Sequence, residues 1–293
     1  MKQGPKGLPA ASGERMVEVN GVGLCVETFG EEGDPAVLLI MGAAASMLHW
    51  EDEFCRRLAS GGRFVIRYDH RDTGRSVTYE PGAPGYTGED LVADAAGVLD
   101  ALGVSRAHLV GMSMGGGIAQ LLALDYPDRV SSLTLISASP GSGADLPAMS
   151  DELRAYFTEP PPQPDWSDRD AVIDYLVEDE RVYAARSRPF DEAGRRELAA
   201  RSFDRSIDLA ATMTNHFVLD GGESPRMRLG EIRVPTLVLH GTDDPLFPIG
   251  HGRALAREIP GARLVPLEQT GHELPRETWD IVVPAILEHT STN

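Results

Sequence analysis

The chain has 293 residues and a formal charge of −18, with 45 acidic side chains against 27 basic ones; a surface of that sign repels polyanions and argues against nucleic acid or an anionic membrane as a partner. Its 42% hydrophobic and 25% charged residues describe a globular chain able to bury a full core, not a disordered one. The only lysines are Lys2 and Lys6, so neither a P-loop lysine nor a pyridoxal Schiff base is available in the body of the chain.

Residues 1–15 are rich in Gly and Pro, lack the apolar stretch of a signal peptide, and are expected to form a flexible leader. No run reaches the roughly 20 apolar residues of a membrane span. Cys25 and Cys55, with no C-x-x-C, read as buried thiols of a cytoplasmic protein.

Residues 16–20 and 24–29 flank Asn20-Gly21 and predict a hairpin. The short apolar runs 36–40 (AVLLI) and 64–68 (FVIRY) have the pattern of strands buried on both faces of a parallel sheet. Between them, residues 50–59 have helical spacing through Trp50, Phe54 and Leu58. Leu91, Ala95, Val98, Leu99 and Leu102 predict a second helix stopped near Gly103. A strand over 107–112, a helix through Ile118, Leu121 and Leu122 closed by Pro127, and a strand over 132–137 follow. This alternation predicts a mostly parallel sheet flanked by helices.

From Pro140 to about Val234 the strand rhythm stops. A proline-rich stretch leads to a helix opened by Ser167, with Val172, Ile173, Leu176, Val177 and Tyr183 on its apolar face. Further helices are expected over 191–203 and 207–217. Strands resume at 236–240 and 263–266, and a last helix carries Trp279, Val282, Val283, Ile286 and Leu287. The expected organisation is an α/β core of residues 16–139 and 231–293 interrupted by a helical cap, residues 140–230.

Gly111-Met112-Ser113-Met114-Gly115 fits G-x-S-x-G and falls where a strand ends and a helix begins. Glycines on both sides permit a cramped turn that lifts the serine hydroxyl above the sheet edge, while the helix start turns its positive end toward it. A serine needs an oriented base, and on this kind of sheet the chain order is serine, acid, histidine. His272, in Gly271-His272-Glu273 before the last helix, suits the base. Asp243 and Asp244, just past the strand 236–240, compete for the acid. The other histidines (His49, His70, His108, His216, His240, His251 and His289) show no paired metal spacing and read as packed or surface residues. Oxyanion donors are expected from the amide of Met114 and from the small-residue loop Met41-Gly42-Ala43-Ala44-Ala45, where Ala43 is the candidate.

The stretches HLVGMSMGGGIAQLLALDYPDRVSSLTLIS (108–137), VPTLVLHGTDDPLFP (234–248), TGHELP (270–275) and RYDHRDTGRS (67–76) resemble the α/β-hydrolase fold family, in its esterase and cofactor-free haloperoxidase branch. Met41-Gly42 and the 67–76 stretch look like its anthracycline methylesterases. The resemblance implies a Ser113-Asp244-His272 triad, because the family's acid directly precedes the proline, and a lid in the 140–230 region. It also implies hydrolysis of a carboxylic ester, such as the methyl ester of a bulky apolar compound, with no metal or organic cofactor. Two departures stand out: Met41 replaces the usual histidine of His-Gly, and Ala43 sits where perhydrolases carry tryptophan, which argues against peroxide chemistry.

Residues 140–235 hold 12 arginines against 19 acidic residues, so a small, neutral, apolar ester is the expected partner, not a phosphate or acyl-CoA. Gly42, Trp166 and Phe217 are candidate substrate contacts, with Phe157, Phe190, Phe203 and Met213 as further apolar wall. The same triad also serves C–C bond, lactone or perhydrolase chemistry, or a receptor with negligible turnover. The oligomeric state stays open between monomer and homodimer. An aspartate-nucleophile dehalogenase or epoxide hydrolase is disfavoured by Ser113.

Overall fold

The computed structural model describes residues 9–222 and 224–291. Its strands are β1 (Arg15–Val19), β2 (Val22–Phe29), β3 (Ala36–Ile40), β4 (Phe64–Tyr68), β5 (Ala107–Met112), β6 (Val130–Ile136), β7 (Thr236–Gly241) and β8 (Arg263–Leu267). The helices are α1 (Asp52–Ser60), α2 (Gly88–Ala101), α3 (Met114–Asp125), α4 (Asp151–Thr158), α5 (Arg169–Tyr183), α6 (Glu192–Arg205), α7 (Leu209–Thr212), α8 (Asn215–Val218), α9 (Gly250–Glu258) and α10 (Trp279–His289). Among the described residues the strands form one sheet in the order β1-β2-β4-β3-β5-β6-β7-β8. The β1–β2 and β2–β4 pairs are antiparallel and the later pairs parallel.

Both faces of the sheet are covered, which is why β3, β4 and β5 are buried along their whole length and read as apolar runs instead of alternating ones. On one face Leu91, Val98 and Leu99 of α2 and Ile118 and Leu122 of α3 join Leu38, Ile66 and Leu109. On the other, Phe54 and Leu58 of α1 and Trp279, Val282 and Ile286 of α10 close over Val37, Val65 and Val110. Trp50, Phe54 and Trp279 form a ring series there, with centroids 5.6 and 5.5 Å apart. Each such fully buried side chain contributes about 1.5–3 kcal/mol of transfer free energy. Arg67 is the charged exception inside β4; Glu27 and Asp52 accept from its guanidinium at 2.5 and 2.7 Å, and the Trp50 carbonyl accepts as well. The buried thiols Cys25 and Cys55 are both free, and burial pushes each up to about 12, so neither is a ready nucleophile.

The helices α4 to α8 all lie between β6 and β7. Several local expectations need correction. Residues 1–8 of the expected flexible leader lie outside the described residues, but residues 11–15 run along β2. Ala11 bridges Phe29, the Ser12 amide donates to the Thr28 carbonyl at 2.8 Å, and Glu14 pairs with Arg75 and Arg205. Helix α5 is capped by Asp168, not Ser167: the Asp168 carboxylate accepts from the amides of Asp170 and Ala171. The expected helix over 207–217 breaks into α7 and α8 because Thr212 and Asn215 are drawn to Asp72 by hydrogen bonds. Two helices were not expected from the sequence: α4 buries only Leu153, and α9 opens with Gly250 and Gly252, poor helix formers.

Candidate active site

Ser113 is the one residue between β5 and α3 and takes φ 52°, ψ −118°, a conformation L-residues adopt only when surroundings enforce it. The flanking glycines explain the enforcement. A Cβ on Gly111 would lie 2.3 Å from the Gly115 carbonyl oxygen, and one on Gly115 would lie 2.1 Å from that of Ile40. No side chain fits in either place, so strand, turn and helix can close tightly and present Ser113 at the carboxyl edge of the sheet. That edge is where open α/β sheets place their sites.

His272 arrives from the loop after β8. Its Nε2 lies 2.8 Å from Ser113 Oγ, and its Nδ1 lies 2.8 Å from Asp244 Oδ2. Asp244 is buried at the end of β7, and its other oxygen accepts from the amides of Leu246 and Phe247 at 2.9 and 2.8 Å. A carboxylate held this way can only accept, so the His272 hydrogen sits on Nδ1 and the Nε2 lone pair faces the serine. Asp243, the competing acid, is exposed and faces away, where Thr242 and Ser187 donate to it. The peptide of His272 is fixed too: its amide donates to the Tyr183 carbonyl at 2.8 Å, where α5 ends.

Gly42 lies against the serine; a Cβ there would stand 3.3 Å from Ser113 Cβ and 3.8 Å from its Oγ. The next residue, Ala43, lines the cavity over Ser113, and Met114 opens α3, whose first amides have no intrahelical acceptor. Among the described residues neither the Ala43 nor the Met114 amide donates a hydrogen bond.

The cavity measures about 170 Å³ and reaches from Met112, Ser113 and His272 to Tyr183, Phe190 and Phe217 on the segment between β6 and β7. Of the expected contacts, Gly42, Phe217 and Phe190 line it. Trp166 does not, and the expectation for it is corrected: its ring packs edge-on against Tyr175 at 5.7 Å. Phe157 and Phe203 are also absent from the wall, and Met213 lines a smaller adjoining space. Sequence reasoning missed Leu246 and Leu274, each two residues beyond a triad candidate, and the polar face of α5, Asp179 and Glu180. Those two precede Tyr183 by four and three positions, a helical spacing that would have flagged them.

That polar face is acidic. Glu180 is paired with His49 and Arg195, each at 3.4 Å, and Arg195 also binds Glu51 at 3.0 Å. Among the described residues Asp179 has only the Tyr156 hydroxyl, which donates to it at 2.7 Å. Burial pushes its carboxyl up to about 6, against the pull of the Tyr156 hydrogen bond and aided by the charge of Glu180. A carboxyl raised in the folded state destabilises the fold as it ionises, so this penalty is absent below about pH 3 and complete above about pH 7. Asp179→Asn is therefore expected to raise Tm by about 2–4 °C at pH 8. The gain should fall to roughly a third of that at pH 4.5, and thermal melts showing the same shift at both pH values would refute the assignment.

Residues 35–275 match the family model described as alpha/beta hydrolase fold. Two curated relatives are rhodomycin D methylesterases, DauP of Streptomyces sp. (strain C5) and DnrP of Streptomyces peucetius. They are 38% and 36% identical over 296 aligned positions, covering 94% of this chain and 97% of theirs. Among solved structures, the esterase RhEst1 from Rhodococcus sp. ECU1013 superposes with a TM-score of 0.76 over 95% of this chain and 98% of its own, at 23% identity, a likeness of fold.

Proposed function

This chain belongs to the α/β-hydrolase fold family, and from that premise we propose that it is a serine hydrolase cleaving a carboxylic ester, with Ser113, His272 and Asp244 as its triad. One observation carries the reading: the unbroken hydrogen-bond chain Ser113–His272–Asp244 opening into a cavity beside two unengaged amides. Ser113 Oγ attacks the ester carbonyl as His272 Nε2 takes its proton. Asp244 holds the imidazole and stabilises the imidazolium. The amides of Ala43 and Met114 receive the oxyanion of the tetrahedral intermediate. His272 returns the proton to the departing alkoxide, which leaves as the alcohol. Water then attacks the acyl-Ser113 ester, His272 again taking the proton and passing it to Ser113, and the carboxylic acid departs.

The two methylesterases support a methyl ester as the bond broken, with the segment 140–230 acting as the cap over the core. The cavity favours an uncharged acyl group. Its one arginine, Arg195, is spoken for by Glu180 and Glu51, while Asp179 has no cationic partner among the described residues. This counts against the alternative C–C bond substrates that carry carboxylates of their own. No described helix is long and apolar enough to cross a membrane, and the two free thiols suit a reducing cytoplasm.

Turnover of p-nitrophenyl butyrate, with no release from p-nitrophenyl phosphate, is the expected result. A p-nitrophenyl hemisuccinate should show kcat/KM about 10-fold or more below the butyrate, since a like charge at ~4–6 Å in a partly desolvated site costs over 1 kcal/mol. Equal rates on both esters would remove the charge argument, and absence of turnover on any neutral short ester would remove the esterase reading.

A further inference from the structure

Two buried histidines that the proton relay does not use hold the loop that carries Ala43. On one side of Ala43 the His70 Nε2 lies 3.0 Å from the Met41 carbonyl; on the other the Ala44 amide donates to His216 Nδ1 at 3.1 Å. The second ring nitrogen of His216 lies 2.9 Å from the Arg71 carbonyl. A carbonyl only accepts, so Nε2 carries the hydrogen and Nδ1 offers its lone pair to Ala44. Burial holds both imidazoles neutral, with His70 down at about 3 and His216 also lowered, so His70 donates from Nε2 to Met41 and His216 keeps its Nδ1 lone pair for Ala44 at neutral pH. The rings meet edge to face at 5.9 Å.

This grip has something to hold. Ala44 sits at φ 56°, a left-handed conformation that costs an alanine about 1 kcal/mol or more and relaxes unless its peptide is tied. His216 is itself anchored: its neighbour Asn215 donates to Asp72 Oδ2 at 2.9 Å, and Thr212 donates to the Asp72 carbonyl at 2.5 Å. With its amide turned to His216, Ala44 is withdrawn as an oxyanion donor, while the amide of Ala43 beside it has no acceptor among the described residues.

We propose that His216, with His70, is a positioning residue for acyl transfer: by engaging Ala44 and Met41 it selects the Ala43 amide as the oxyanion donor and fixes its direction. The proposal rests on the ester-hydrolase reading. Its consequence is selective. Loosening the loop weakens binding of the tetrahedral intermediate, whereas the ground-state ester, held by the cavity walls, is little affected.

The test compares His216→Phe, which keeps a ring and removes the acceptor, with His216→Asn, which returns an oxygen near the Nδ1 position. With p-nitrophenyl butyrate, His216→Phe is expected to lower kcat about 30-fold with KM changed less than about 3-fold, the scale of a misplaced donor. Inhibition by an alkyl trifluoromethyl ketone, which forms an oxyanion-bearing hemiketal with Ser113, should weaken by the same factor. His216→Asn should recover most of both losses. Wild-type kcat in His216→Phe, a loss residing in KM, or equal losses in the two variants at matched Tm would overturn the proposal. Should His216→Phe fail to fold, the imidazole ¹⁵N–¹H spectrum of the wild-type protein at pH 7 decides: a protonated Nε2 and bare Nδ1 on His216 support it, and a protonated Nδ1 refutes it. A wild-type protein that neither turns over the ester nor takes up a fluorophosphonate at Ser113 would instead bring down the underlying reading.

Discussion

Ser113→Ala is expected to lower kcat for ester hydrolysis by about 10⁴–10⁶-fold while leaving Tm within a few degrees of wild type. The two halves of that expectation have separate causes. Without Oγ no acyl-enzyme forms, and the unengaged amides retain only the residual catalysis of binding and charge stabilisation. The backbone, by contrast, loses nothing that held it. The strained turn at Ser113 is enforced by the close packing of Gly111 on Gly115 and of Gly115 on Ile40, and alanine takes the same φ at similar cost. The measurement is kcat on p-nitrophenyl butyrate with melting curves alongside, and labelling by a fluorophosphonate should vanish with the activity. Turnover within 10-fold of wild type in purified Ser113→Ala would end the serine-hydrolase reading.

Asp244→Asn should lower kcat by about 10⁴-fold, whereas Asp243→Asn should change it less than about 3-fold. Asp244 accepts from His272 Nδ1 and from two backbone amides. An asparagine placed there presents either an NH₂ to Nδ1, forcing the hydrogen onto Nε2 and away from Ser113, or an oxygen that lacks the charge opposite imidazolium. Asp243 lies one residue away but points to solvent and the Ser187 hydroxyl, so its loss touches neither tautomer nor charge. The two variants differ by one position and leave overall composition the same, which makes the contrast a clean measurement of geometry. Similar losses in both would mean that the acid of the relay is wrongly assigned.

Much of the frame was legible from residue patterns because those patterns are local. The runs AVLLI and FVIRY mark β3 and β4 since strands covered on both faces have no polar side to show. Gly111 and Gly115 mark the turn at Ser113 because no other residue tolerates the approach. Legibility failed where a helix does not bury a stripe or where a distant group overrides propensity. Helix α4 buries one residue, and the 207–217 segment breaks at Thr212 and Asn215 because Asp72, some 140 positions earlier, offers them better hydrogen bonds. Trp166 failed as a pocket candidate for a related reason: an aromatic residue in a turn before a helix serves a neighbouring tyrosine or a ligand equally well until the neighbours are in place.

The line of residues thus determined the α/β alternation, the identity of the strained serine, the small-residue loop after β3 and the acidic balance of the chain, since each depends on residue types within a few positions of one another. Only the tertiary structure decided which amide of the 41–45 loop is engaged by an imidazole, and that His70 and His216, from segments about 145 positions apart, both close on that loop. Hydrogen bonds fall off within tenths of an ångström and a few tens of degrees, so such pairings exist only once packing has fixed every element that carries them.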